Sequence, residues 1–378
     1  MSGSVRGDAA TQVSEGPSRG AAERSVARAA RRRGSSRDLP SGRGLLQRSG
    51  WRATALLLAV VALGVVAITS VRYGSKPIAL GEVFDAFLAF DGSNDHLIIR
   101  SLRVPRTLVG LGVGAALGLA GGLMQGVTRN PLADPGLLGV SAGASLAVVI
   151  AIFVFGIGSL SVFVWFAFVG AAAASALVYA LGSLGREGAT PIKLALAGAA
   201  VSALLGALTT AVLLLDIATL DQYRFWAVGS LAGRDALILA QVAPFLVVGG
   251  VGAIGLSRAL NTLNLGEDVA RSLGQRVKLT QGISAAAVVL LVGASVAAAG
   301  PIGFVGLTVP HVARAITGPD YRWVLPYSAV LAPILLLGAD VIGRVVARPS
   351  EVQVGIVTAV IGAPFFIALV RRRKLAEL

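Results

Sequence analysis

TLVGLGVGAALGLAGGLMQGVT, residues 107–128, contains no charged side chain. As a helix rising about 1.5 Å per residue it is long enough to cross the roughly 30 Å hydrocarbon core of a bilayer. Its glycines recur every fourth position, at Gly110, Gly114, Gly118, Gly122 and Gly126. Residues four apart share one side of a helix. Between lipid tails, which remove the hydrophobic drive between helices, a row of small residues lets another helix approach to backbone contact. The five glycines are therefore read as a packing surface rather than a pore lining.

Working outward, nine more runs share this character. They are Ala53–Val71, Leu138–Phe155, Leu160–Leu184, Lys193–Leu215, Asp235–Gly255, Leu279–Ala299, the short Ile302–Ile316 interrupted by Pro310, Val324–Val346 and Val352–Val370. The expectation is an all-α polytopic membrane protein with about ten transmembrane helices. Leu80–Phe90 has a helical apolar pattern suited to a membrane surface, and residues 216–234 and 257–278 read as polar breaks. Ten crossings return the chain to the side it started from. With both termini cytoplasmic, 24 of the 33 Lys and Arg lie on that side and 9 on the other. That asymmetry is the usual one for membrane proteins. The division is a basic disordered cytoplasmic tail (1–52), a membrane domain (53–371) and a short cytoplasmic C-terminal tail (372–378).

Composition points the same way. Of 378 residues, 55% are hydrophobic and only 14% charged, with a mean hydropathy of +0.79. A soluble domain of this length carries roughly 25% charged residues and lacks the interior volume for so much apolar surface. The net charge of +14 raises the question of nucleic acid. Half of it resides in residues 1–52, where eleven arginines face four acids, and the rest sits mainly between apolar runs. This is membrane topology, and no nucleic-acid partner is expected. Cysteine is absent and only His96 and His311 occur, which argues against a metal site or a cofactor. No G-x-x-x-x-G-K-[ST] phosphate loop and no nucleophile–base constellation is present. The chain reads as a non-enzyme with no means of its own to hydrolyse ATP.

Four polar features remain. Asp340 lies in the ninth run with Arg344 one turn on, and reads as a local ion pair rather than a proton relay. Arg103 and Arg106, flanking Pro105, and Arg344 sit on the cation-poor side. Docking an acidic partner, or snorkelling to headgroups, would account for them. Gly198, Ser202, Gly206 and Thr210 make a small, partly polar stripe on the fifth run, open equally to packing and to lining a pathway. Finally, LNLGEDVARSLGQR (263–276) is too polar to cross lipid. Leu265–Gly274 suits a short amphipathic helix broken at Gly266 and Gly274, a handle for a soluble partner.

Several segments together resemble the FecCD-type permeases of ATP-binding-cassette importers. They are LRVPRTLVGLGVGAALGLAGGLMQGVTRNPLADPGLLGVSAGA (102–144), FWAVGSL (225–231), LNLGEDVARSLG (263–274), GPIGFVGLTVPHVARAITGPDYR (300–322) and VGIVTAVIGAPFF (354–366). The resemblance implies a type II importer architecture: a dimer with the pathway between two permeases, the second being another copy or a paralogue. It implies a cytoplasmic ATPase subunit, an extracytoplasmic substrate-binding (lipo)protein, and an iron(III)–siderophore as cargo, with cobalamin or haem as alternatives. It assigns ATPase coupling to Leu265, Gly266, Glu267, Asp268, Arg271, Ser272, Leu273 and Gly274. Binding-protein docking falls to Arg103, Arg106 and Arg344. The pathway and inner gate fall to Thr190, Pro191, Gly198, Ser202, Gly206 and Thr210. Gln353 departs from the family, which often has proline there. An ion-coupled carrier would need more intramembrane acids than Asp340 offers, and a membrane scaffold with a functional basic tail would leave 263–276 without a purpose.

Overall fold

The computed structural model describes residues 45–46, 49–74, 76–184 and 190–371, apart from the side chains of Pro191 and Val370. Most of the 1–52 tail and all of 372–378 lie outside the described residues. No strand occurs among those described.

The chain runs through α1 (Ser49–Arg72), α2 (Leu80–Leu88), α3 (Asn94–Ile98), a π-turn (Ile99–Arg103) and α4 (Val104–Thr128). A 3₁₀ turn (Pro135–Leu138) leads to α5 (Val140–Phe155), α6 (Leu160–Gly182), α7 (Pro191–Leu215), α8 (Ile217–Ala227) and α9 (Ala236–Gly255). Two short helices, α10 (Ser257–Leu263) and α11 (Glu267–Ser272), precede α12 (Val277–Ala299), α13 (Val305–Thr317), α14 (Tyr321–Val346) and α15 (Val354–Arg371). Seven stretches are long and apolar enough to cross a membrane: α1, Asn94–Thr128, α6, α7, α9, α12 and α14. The shorter apolar α5 and α15, with α13, complete the ten of the sequence reading. The polar break at 216–234 holds a helix that the apolar pattern missed. Asp216 starts it, accepting hydrogen bonds from the Thr219 amide (2.9 Å) and hydroxyl (2.6 Å), a cap that satisfies amides the helix leaves free.

Burial ranks the helices. The apolar window of the Asn94–Thr128 stretch is 78% buried and that of α1 only 6%. α4 is therefore the hub, touching α9, α12, α13 and α14. Its glycine row lies along α14. A Cβ on Gly114 would stand 2.6 Å from the Pro333 Cα, one on Gly122 2.7 Å from Leu325 Cδ2, and one on Gly126 3.0 Å from the Tyr321 ring. Gly110 meets Leu337 (2.5 Å), and Gly118 meets the Ser328 carbonyl. Gly114 and Gly118 meet backbone, where only hydrogen fits, so these two set how near the two helices come.

One side of α1 lies along α14, and hydrogen bonds fasten both of its tips. At its start, the Tyr327 hydroxyl donates to the Arg52 carbonyl (2.6 Å) and Arg52 Nε to the Leu46 carbonyl (2.8 Å). The backbone amides of Leu45 and Leu46 also bond to the carbonyls of Ala315 and Ile316. Helix α13 is short because the chain enters it from a close turn, with Gly300 at φ 74° and Phe304 at φ 67°. There, Gly300 abuts the Trp226 carbonyl and Gly229 the Pro301 carbonyl.

Candidate functional sites at the two ends of the bundle

One end of the bundle gathers residues 72–74, 76–103, 228–235 and 347–353 around a cluster of cations, and is called the basin end. Asp340, on α14 and 1% exposed, lies at its centre. Arg106, on the first turn of α4, reaches both its oxygens: Nη2 to Oδ1 at 2.7 Å and Nε to Oδ2 at 3.1 Å. Arg106 Nη1 goes to Glu351 (2.9 Å). Arg344, one turn after Asp340, approaches Oδ2 at 2.8 Å. Its other donors go to the carbonyls of Ser70 (2.8 Å) and Tyr73 (2.7 Å) and to the Ser70 hydroxyl (2.8 Å). Arg103 donates to the carbonyls of Val71 (2.9 Å), Arg72 (2.6 Å) and Lys76 (2.5 Å). It thereby caps the C-terminus of α1, where unpaired carbonyls concentrate negative charge.

The three arginines expected to face an external partner thus spend their donors internally. Arg103 and Arg344 are buried, and Arg106 is 14% exposed at its side chain. A guanidinium near lipid needs hydrogen-bond acceptors, and the carbonyl end of α1 and the Asp340 carboxylate supply them. The partners of Asp340 are split between the legible and the hidden. Arg344 is one turn away in sequence, whereas Arg106 is separated by more than two hundred residues.

A fourth arginine, not singled out by the sequence reading, belongs to this end. Arg234 precedes Asp235, which caps α9 through the Ile238 amide (2.9 Å). Arg234 is 5% exposed, and its Nε is buried with no hydrogen-bond partner. Burial, reinforced by the nearby Arg106 cation and opposed by Asp235, lowers its pKa to about 10. It remains charged at neutral pH. It lines an open cavity of about 450 Å³ together with Lys76, Arg103, Arg106, Arg344 and Glu351.

The opposite, elbow end holds α10 and α11. Leu260 and Leu263 bury the inner side of α10, and Ala270 that of α11. Gly266 (φ 108°) and Gly274 (φ 82°) bracket α11 with backbone shapes that favour glycine. Asp268 is 98% exposed at its side chain. Arg271 pairs with Glu267 (3.0 Å) and Asp268 (3.2 Å) on its own helix. Glu267 also accepts from Gln281 of α12 (3.2 Å) and approaches Arg129 after α4 (3.7 Å). Ser272 donates back to the Val269 carbonyl (2.8 Å). Leu265, Val269 and Leu273, spaced by four, are all exposed, at 63%, 44% and 65%. This makes a small apolar ridge at the surface. Val269 went unremarked in sequence because one valine among charges carries no pattern by itself. Asn261 of α10 fastens the elbow to α14: it donates to Asp320 (2.6 Å) and accepts from the Tyr321 amide (2.8 Å).

The stripe on α7 divides. Thr190 caps the helix through the Lys193 amide (3.4 Å) and Pro191 is its first residue. Gly198 abuts the Leu137 carbonyl, and Ser202 lies near Gly139. Gly206 has nothing within 4 Å of a built Cβ, and Thr210 is exposed. Each four-residue step turns about 40° past a full turn, so a row that begins against the 135–139 turn leaves it two turns later. Among the described residues no group of His, Cys, Asp and Glu suits a metal ion.

The FecCD transport family matches residues 57–372. A probable siderophore transport system permease of Bacillus subtilis, YfiZ, is 46% identical over 86% of this chain and 97% of its own. The ferric enterobactin permease FepD of Escherichia coli is 47% identical, covering 84% and 94%. The cobalamin import permease BtuC of Halobacterium salinarum is 39% identical, over 75% and 76%. Among solved structures, a metal-chelate type ABC transporter in an inward-facing conformation superposes with a TM-score of 0.75. It is 28% identical and covers 85% of this chain and 99% of its own.

Proposed function

The chain belongs to the FecCD transport family, and from that footing we propose that it is the membrane-spanning permease of an ATP-driven importer for an iron(III)–siderophore. The elbow carries this reading. A polar connection that keeps an apolar ridge of Leu265, Val269 and Leu273 exposed needs a soluble surface to cover it. A chain without a phosphate loop needs another subunit to hydrolyse ATP. The elbow is the coupling element in this reading. Glu267, Asp268, Arg271 and Ser272 shape it, Gly266 and Gly274 bracket it, and the ridge fills a groove on the ATPase. Both termini and the elbow are cytoplasmic, which leaves the basin end extracytoplasmic, facing the substrate-binding protein.

Two copies enclose the pathway. α7 and α15 offer the surface, since the apolar window of α7 is only 17% buried within one chain. Gly206 and Thr210 face that pathway and Thr190 and Pro191 mark its inner gate, while Gly198 and Ser202 seat α7. ATP binding moves the elbows and the site between the copies opens to each side in turn. Each ligand drives the cycle only by the difference in its affinity for the two states. Arg103, Arg106 and Arg344 shape the docking face as a braced wall.

The test is uptake of radioactive iron, supplied as hydroxamate, catecholate or citrate chelates, by cells lacking the endogenous permease and expressing this one with its ATPase. Val269→Asp is expected to lower uptake at least tenfold with normal amounts of protein in the membrane. Wild-type uptake by that variant, or uptake that survives ATP depletion, would sink the proposal. Uptake of cobalamin in place of every iron chelate would reassign the cargo and leave the mechanism standing.

A further inference from the structure

The cations of the basin end can be accounted for one at a time. Lys76 pairs with Asp95 at 2.9 Å. Arg103 is satisfied by three carbonyls, and Arg106 and Arg344 share Asp340. Glu351 is taken by Arg106. Asp235, beside Arg234 in sequence, has its Oδ1 committed to the Ile238 amide. Arg234 is left over. Among the described residues it has neither an ion pair nor a hydrogen bond, though it is 5% exposed.

Buried charges are ordinarily paired, and buried donors ordinarily have acceptors. An arginine that has neither lines the wall of an open cavity of about 450 Å³. The neighbouring cations deepen the positive potential there, while their own donors are occupied. The matching ligand is a planar oxyanion that can take two parallel N–H bonds. We propose that Arg234 is a carboxylate receptor, binding an oxyanion that enters this cavity from outside the chain. The site stands on this chain's geometry. Only the source of the carboxylate, either an acidic side chain of the docked binding protein or the arriving chelate itself, rests on the import reading.

The experiment uses the full-length permease in lipid nanodiscs, with citrate as the probe, and compares wild type with Arg234→Gln and Arg234→Lys. Without probe, R234Q is expected to melt a few degrees above wild type, because it removes an unpaired buried charge; an arginine with a structural partner gives the opposite sign. Citrate is then expected to raise the melting temperature of wild type saturably, of R234K less and of R234Q not at all, if a free carboxylate suffices. If citrate leaves wild type unmoved, Arg234→Glu should abolish uptake in cells. Selection for regained uptake should return replacements of an acidic residue by lysine in the binding protein, identifying a side chain as the source. The proposal is overturned if R234Q melts at or below wild type. It is overturned equally if citrate has no effect and either R234E transports normally or no acidic-to-lysine suppressor restores it. The melting measurements need no ATPase or binding protein, so they stand even if Val269→Asp shows the import reading to be wrong.

Discussion

Asp340 neutralises two guanidiniums at once. Its carboxylate is buried, Arg344 comes to it from the next turn and Arg106 from another helix. Removing one member of a buried ion group leaves the others charged and unmatched, at a cost of about 3–5 kcal/mol. Asp340→Asn should therefore destabilise the protein strongly, since both arginines lose their shared counter-ion. Arg106→Gln should cost less, because Asp340 keeps Arg344 and Glu351 is exposed enough to hydrate. Thermal unfolding of the two variants in detergent gives the order; R106Q melting below D340N would contradict it. Half of this centre was open to sequence reading. A spacing of four on a helix is local geometry, so the Asp340–Arg344 pair follows from it. The partnership with Arg106 depends on the approach of α4 to α14, which no local rule encodes. The solitary state of Arg234 was hidden for the same reason, because a residue is shown to lack partners only once its neighbours are known.

At the scale of the element, the α4–α14 contact and the elbow latch each make a distinct demand. A methyl group on Gly114 would strike the backbone of α14 at Pro333, which cannot swing aside. Gly114→Ala should cost about 1–3 kcal/mol through overpacking. Gly206→Ala, with open space around it, should be neutral or raise stability by up to about 1 kcal/mol, the helix preference of alanine over glycine. Comparing melting temperatures of the two variants checks both signs. The latch between α10 and α14 allows a sharper test. Asn261→Asp brings two carboxylates to hydrogen-bonding distance and should reduce uptake. Asn261→Asp combined with Asp320→Asn restores one donor and one acceptor in exchanged places and should recover most of it. Failure of the double variant to improve on N261D would refute the latch. The long helices were legible because each carries a predominantly apolar run. Helix α8 was not, since its start depends on the Asp216 side chain bonding its own backbone, a capping signal that hydropathy does not register.

For the molecule as a whole, charge placement predicts an orientation that labelling can check directly. The chain has no cysteine, so a single introduced thiol is the sole target. Asp268→Cys, on the elbow, should resist a membrane-impermeant maleimide in intact cells and react after permeabilisation. Asp221→Cys, on α8 and 56% exposed at its side chain, should react in intact cells. The reverse pattern would invert the assignment of the two ends. The set of apolar helices was legible from composition because lipid admits helices only where all backbone groups are satisfied internally. Which helix forms the hub was not, because burial runs against hydropathy: the window of α1 is the most apolar of the seven and only 6% buried, whereas that of the stretch containing α4 is the least apolar and 78% buried.

The attachment of α1 has a further consequence. It spans about 36 Å at the standard rise, one side rests along α14 while the remainder is bare, and its two tips are tied by Tyr327 at one end and by Arg103 and Arg344 at the other. A pole that leans along a wall and is stayed at top and bottom passes part of any change in the height of its surroundings to the stays. Thinner or thicker lipid would tilt or strain α1 by modest energies per ångström, and that load would fall on the carbonyls gripped by the two arginines, so the composition of the host membrane bears on the arginine cluster itself.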